Sequence, residues 1–179
     1  MADRTYLKNL EEPCTLPDGR VLCLRPIRPE DEPEHYDLLD HVDPQDRQFR
    51  FFAAVSTISQ ETMERFTRID YEREMAFIAS AETDDSGHET LGVVRIVADD
   101  ENKEAEFAIV IRTDLKHHGI GHFLMDKAIR YCRERGYVRL TGLVLPNNQA
   151  MRDFARSLGF TSHLNMDDKV VEISFDLAD

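Results

Sequence analysis

The chain has 179 residues, which is most simply one domain with a real hydrophobic core. With 22 Lys and Arg against 35 Asp and Glu, its formal net charge of -13 disfavours nucleic acid and anionic membranes and suits a cationic partner, such as a protein with exposed lysines. Three widely spaced cysteines, Cys14, Cys23 and Cys132, form no CxxC pair and point to a reducing compartment; with no secretory core at the amino terminus and no run of membrane-spanning length, a cytoplasmic protein with no membrane partner is the expectation.

In chain order, residues 1–17 read as an amino-terminal arm ending in the first strand of a hairpin, and 18–179 as a single domain. The hairpin, Cys14 to Pro26, turns at Pro17-Asp18-Gly19. Pro29-Glu30-Asp31-Glu32 signals a helix start, with Tyr36, Leu38, Leu39 and Val42 as its apolar stripe and Pro44 as its end. Asp46 to Phe52, DRQFRFF, sets three aromatics beside two arginines, and these aromatics read as core more than as site lining. A further helix is expected from Ser59, its N-cap, to Arg73, with Met63, Phe66 and Ile69 facing inward. Met75 to Ala81 and Leu91 to Ala98 alternate as antiparallel strands across the turn at Thr83 to Gly87.

The stretch Ala105 to Gly136 reads as strand, polar loop and helix. Phe107, Ile109 and Ile111 alternate with Ala108 and Val110, Glu106 is the one charge among them, and burial on both faces is expected. Ile120, Leu124, Ala128 and Tyr131 recur at helical spacing until Gly136 stops the helix. A glycine-flanked turn entering a helix leaves N–H groups free at the positive end of the helix dipole, a place that binds phosphate oxygens. Beyond it come a strand from Val138 to Leu145, a helix with Met151, Phe154 and Ala155 inward, a plug at Phe160, and a closing hairpin of Thr161 to Asn165 and Lys169 to Leu177. The fold class is α/β of the α+β type: a mixed, mostly antiparallel sheet flanked by helices, with one strand-helix-strand crossover at the phosphate loop.

The run Lys116-His117-His118-Gly119-Ile120-Gly121 resembles the (Gln/Arg)-x-x-Gly-x-(Gly/Ala) motif of the GNAT superfamily of acyl-CoA-dependent N-acyltransferases. Asn147-Asn148-Gln149-Ala150 and Ser157-Leu158-Gly159-Phe160 are similar to that family's Asn-x-x-Ala and Leu-Gly-Phe signatures. Together with LRPIRPED (Leu24 to Asp31), RFF (Arg50 to Phe52) and AEFAIVI (Ala105 to Ile111), they look like the bacterial protein lysine acetyltransferases that silence acetyl-CoA synthetase. Two positions depart from the pattern. Lys116 replaces a fork-shaped side chain but leaves the backbone cradle intact, and Phe154 stands where many members have a tyrosine that protonates the leaving thiolate. A thiol with a pKa near 8.5 leaves without a dedicated acid.

The resemblance implies the GNAT fold, acetyl-CoA as co-substrate and a protein acceptor with an accessible lysine, acetyl-CoA synthetase being one candidate. An acceptor lysine is an ammonium at neutral pH, and Glu106, alone among apolar neighbours, is the expected general base, acting directly or through one water; Glu104 is the fallback. The family's strand is bulged and splayed, so backbone groups of Ile109, Val110 and Ile111 are expected to bond the pantetheine arm and polarise the thioester. Lys116, His117, His118, Gly119, Ile120, Gly121 and His122 are expected at the phosphates, and Asn147, by its spacing to Ala150, at coenzyme A.

Other readings of the same residues are weaker. A dinucleotide fold needs a third glycine where Leu124 stands, and a nucleoside triphosphatase needs a Gly-Lys-Ser/Thr that is missing. His118 and His122 share a helical spacing, but no third ligand follows at a recognisable distance, so no metal is expected. The functional alternatives are a small-molecule or N-terminal amine acetyltransferase, and a non-catalytic acyl-CoA sensor.

Overall fold

A computed structural model describes residues 8–52, 57–101 and 103–178; the expected arm lies partly outside them, at residues 1–7. Among the described residues eight strands form one sheet: β1 (Glu12–Thr15), β2 (Val21–Pro26), β3 (Glu74–Glu82), β4 (His88–Asp99), β5 (Glu104–Ile111), β6 (Arg139–Val144), β7 (Thr161–Asn165) and β8 (Val170–Asp176). Their order is β1-β2-β3-β4-β5-β6-β8-β7, and β5 with β6 is the parallel pair. The crossover that a parallel pair demands is supplied by the helix between them.

Among the described residues, α1 (Glu32–Asp40), α2 (Pro44–Phe51) and α3 (Gln60–Thr67) precede β3. Pro44, expected to end α1, instead begins α2, because its missing N–H and fixed φ suit the first helical position as well as they forbid an interior one. DRQFRFF is therefore helical. Ser59 caps α3 as expected, its Oγ accepting from the Thr62 N–H at 3.1 Å. That helix stops at Thr67 rather than Arg73: Asp70 Oδ1 accepts from the N–H groups of Glu72, Arg73 and Glu74 and holds this stretch as a turn.

After β5 come α4 (Ile120–Glu134) and, after β6, α5 (Gln149–Ser157). Gly119, Gly136 and Gly159 have φ of +95°, +81° and +98°, the left-handed values that place glycine at helix boundaries. Alternation along the strands separates two cores. Phe77, Phe107, Leu124, Met125 and Tyr131 pack on the face that carries α4, while Leu38, Met63, Ile78, Val93 and Val110 pack on the face that carries α1 to α3. Phe77 and Leu124 are fully buried, and each contributes on the order of 1.5–3 kcal/mol by leaving water. Phe160 plugs the first core as expected, its ring 5.4 Å from Phe107 and 5.3 Å from Phe175.

β1 is held to the domain by more than its ladder. Glu12 accepts from Lys127 Nζ at 3.1 Å and pairs with Arg130, both on α4.

Candidate active site

β5 pairs with β4 along its whole length, from Glu104 opposite Asp99 to Ile111 opposite Gly92. Its pairing with β6 ends after three residues, Glu104 to Glu106 opposite Arg139 to Thr141, and β6 turns away to pair with β8. The sheet forks there. A cleft of about 630 Å³ opens from the fork toward the start of α4, a volume suited to a large organic ligand. The expected splay is present, whereas the bulge is not in β5: its register with β4 is unbroken, and the irregularity falls between β3 and β4 at Ala79/Ser80.

The ladder decides which backbone groups face the cleft. The Arg112 N–H donates to the Leu91 carbonyl at 3.0 Å, so alternation turns the backbone of Val110 and Ala108 toward β4 and that of Phe107, Ile109 and Ile111 toward the open side. Ile109 and Ile111 thus turn their backbone groups to the open side. Val110 lines the cleft, but its backbone groups serve β4, which corrects its expected role. Burial on both faces is corrected too: Ala108, Ile109 and Ile111 are only half-buried because one edge of the strand borders the cleft.

Glu106 lines the cleft at the last paired position before the fork. It is exposed, not sheltered by its apolar neighbours, because its side chain shares the face of Ala108 and emerges where the sheet opens. Glu104 is not available as a substitute: it pairs with Arg139 at 3.0 Å and is absent from the cleft wall.

At the other end, His117 (φ +66°) and Gly119 turn the chain into α4. The Phe123 N–H is the first to bond back, to the Gly119 carbonyl at 3.2 Å, which leaves those of Ile120, Gly121 and His122 without helical partners at the positive end of the dipole. His117, His118, Gly119, Gly121 and His122 line the cleft. Ile120 is 1% exposed as a whole residue and does not line the cleft, its side chain packing in the core. Lys116 is already engaged: its Nζ lies 2.6 Å from Asp46 Oδ1 on α2, whose other oxygen accepts from Thr113 Oγ1 at 2.8 Å.

Asn147 is exposed and outside the cleft, and its neighbour Asn148 lines it. Asn148 is the N-cap of α5, accepting from the Met151 N–H at 3.1 Å, and the cap's geometry rather than the spacing to Ala150 selects it. Phe154 also lines the cleft. A Cβ on Gly121 would lie 3.3 Å from its Cζ, so a glycine there lets α5 close over the start of α4. At the fork, a Cβ on Gly142 would lie 2.8 Å from Phe107 Cε1.

Sequence reasoning missed α2 as a wall of the site. Asp46, Phe49, Arg50 and Phe52 line the cleft, and Phe51 alone of the three RFF-region aromatics turns into the core beside α3. The signal was there in the spacing of Asp46, Phe49 and Arg50 at i, i+3 and i+4, one helical face, once Pro44 is read as a start.

An acetyltransferase (GNAT) domain matches residues 21–161. An acetyltransferase of Pseudomonas aeruginosa is 31% identical over 154 residues, covering 86% of this chain and 82% of its own. The GNAT domain of S. lividans PAT superposes with a TM-score of 0.84 at 27% identity, over 94% of this chain and 97% of that one. Spermidine N-acetyltransferase from Vibrio cholerae, solved in complex with CoA and spermine, shares the fold with a TM-score of 0.71 at 16% identity, over 88% and 96% of the two chains. A forked mixed sheet, a phosphate-suited helix start and an exposed carboxylate between them therefore have one explanation: the chain belongs to the GNAT acetyltransferases, acyltransferases that use acetyl-CoA as co-substrate.

Proposed function

We propose that this acetyltransferase modifies lysine side chains of a protein, acetyl-CoA synthetase being the first acceptor to test, with Glu106 as general base. The observation that carries the reading is the position of Glu106, unpaired by any side chain among the described residues, at the mouth of the fork and on the cleft wall. The likeness to the GNAT domain of S. lividans PAT supports a protein acceptor, as does a net charge of -13 facing a lysine-bearing surface.

The residues fit the co-substrate. The free N–H groups of Gly121 and His122 suit a diphosphate, and the open edge at Ile109 and Ile111 suits the amides of a pantetheine arm. Acetyl-CoA supplies an activated acyl carbon and a stable thiolate leaving group. Glu106 removes a proton from the acceptor ammonium, directly or through one water, and the freed lone pair attacks. Transfer is direct in a ternary complex: among the described residues no Ser, Thr or Cys lines the cleft, and Cys132, pushed up to about 12 by burial, is locked in the core.

The test is CoA release from acetyl-CoA with purified acetyl-CoA synthetase, with a panel of free amines, and with no acceptor, followed by mapping of acetylated lysines by mass spectrometry. Release confined to the protein, at one lysine, supports the proposal. Turnover with a free amine replaces it with a small-molecule acetyltransferase, and tight acetyl-CoA binding with no turnover on any acceptor replaces it with a sensor.

A further inference from the structure

Arg50 lies on α2 and lines the same cleft as Glu106. Among the described residues its guanidinium has no hydrogen bond and no carboxylate partner. Its close contact is the ring of Phe51, 4.9 Å from the guanidinium carbon. The neighbouring charges are accounted for. Arg95 on β4 is bonded to Glu74 at 2.7 Å and to the Phe66 carbonyl at 2.8 Å, Asp46 is spent on Lys116, and Arg47 donates to the Leu39 carbonyl.

His35 on α1 packs edge-on against Phe66 of α3 and is held down to about 4 by burial and by Arg95, so it carries no charge at neutral pH. Phe66 also stacks on Phe51, the rings 6.1 Å apart, and presents no charge of its own. Among the described residues two opposite charges in the cleft, Glu106 and Arg50, thus lack a bonded partner. Burial and Arg95 push Arg50 down to about 10, and the charge of Glu106 pulls it up, so the two groups sense one another while Arg50 stays cationic at neutral pH.

We infer that Arg50 is a positioning residue for the transfer: its guanidinium, without a bonded partner among the described residues and on the cleft wall it shares with Glu106, disfavours an ammonium beside that carboxylate and so favours the neutral amine that attacks. The inference deepens the proposed function and rests on Glu106 being the base. The proton balance is simple. The ammonium N–H bond breaks, its proton passes to a Glu106 oxygen, and the nitrogen keeps the pair that forms the amide bond. A cation next to a reactive amine eases that loss by like-charge repulsion. For a like charge in the same open cleft, at an effective dielectric of roughly 40 to 80, the effect is on the order of half to one pH unit.

The field is measured without turnover by placing a reporter amine at the base's position. In E106K the lysine amine, followed by NMR, is expected to titrate about half to one pH unit lower than in E106K/R50Q, with E106K/R50K matching E106K. Midpoints of E106K and E106K/R50Q that agree within about 0.2 unit overturn the inference. In the otherwise unaltered enzyme, the acid limb of kcat/KM against pH is expected to move up by a similar amount in R50Q and to return in R50K, with acetyl-CoA binding unchanged. A uniform fall in kcat/KM with an unmoved limb means Arg50 merely packs on Phe51, and the inference fails. Should E106Q keep full activity, the base assignment falls by itself, and the E106K titrations still decide whether Arg50 acts on an amine at that place.

Discussion

Asp31→Asn tests how the layer of α1 to α3 is fastened to the sheet. Arg25 on β2 grips Asp31, just before α1, with two bonds of 2.7 and 2.6 Å, and the Arg28 N–H adds a third at 2.8 Å. Asp31 is 2% exposed and Arg25 9%, so the substitution leaves a buried guanidinium without its counter-charge. Breaking one partner of such a pair costs about 3–5 kcal/mol, out of a typical total of about 5–15. With a urea slope near 2 kcal/mol/M, the unfolding midpoint should fall by roughly 1.5–2.5 M. Burial pushes the Asp31 carboxyl up, but the bonds and charge of Arg25, the Arg28 N–H and His88 together hold it below its usual value. A depressed carboxyl stabilises the fold fully above its unfolded pKa of about 3.9, and this stabilisation is lost as pH falls through the folded value. The gap between wild type and D31N should therefore be widest near neutral pH and close in acid. A midpoint shift under about 0.5 M at pH 7 would falsify the buried-pair account. R25M/D31L, which removes both charges, should recover much of the loss.

Three further outcomes follow from the site. E106Q should lower kcat by about 100- to 10,000-fold, the range of a lost general base, with acetyl-CoA affinity unchanged in calorimetry; full activity would remove Glu106 from the chemistry. D46N frees Lys116 from a half-exposed pair worth about 1 kcal/mol at most, so CoA should bind up to about fivefold tighter at low salt, an advantage that fades at high salt. Weaker binding by D46N would show that Asp46 holds Lys116 in its binding position. F154Y should change kcat by less than about threefold if the thiol leaves unaided, and a tenfold gain would mean that thiolate departure limits the wild type.

Local signals in the sequence carried much of this architecture. Alternation marked β3, β4 and β5, helical spacing marked α4, and Ser59 and Gly119 marked helix starts through their own backbone chemistry. What stayed hidden depends on contacts made far along the chain. Lys116 meets Asp46 seventy residues away, and nothing local to either announces it. The fork depends on β6 preferring β8 to β5, a competition between strands that no single strand records. Pro44 was ambiguous because one residue type both ends and begins helices. Asn148 was displaced by a single position, since a cap is chosen by dihedral angles and not by letter spacing. Glu106 was expected to be sheltered because neighbours in sequence describe a strand's faces, whereas its exposure is set by where the sheet parts.

The fork also makes the sheet two smaller sheets sewn along a seam of three residue pairs, Glu104 to Glu106 against Arg139 to Thr141. Past the seam the halves lean together through Phe107 lying against Gly142, where an added methyl group would sit 2.8 Å from the ring. Residue 142 is therefore a shim: hydrogen alone lets the halves meet at the present angle, and any larger side chain must wedge them wider or expel the ring. Amide exchange in β6 should accordingly report small rocking of one half against the other, well below the free energy of global unfolding.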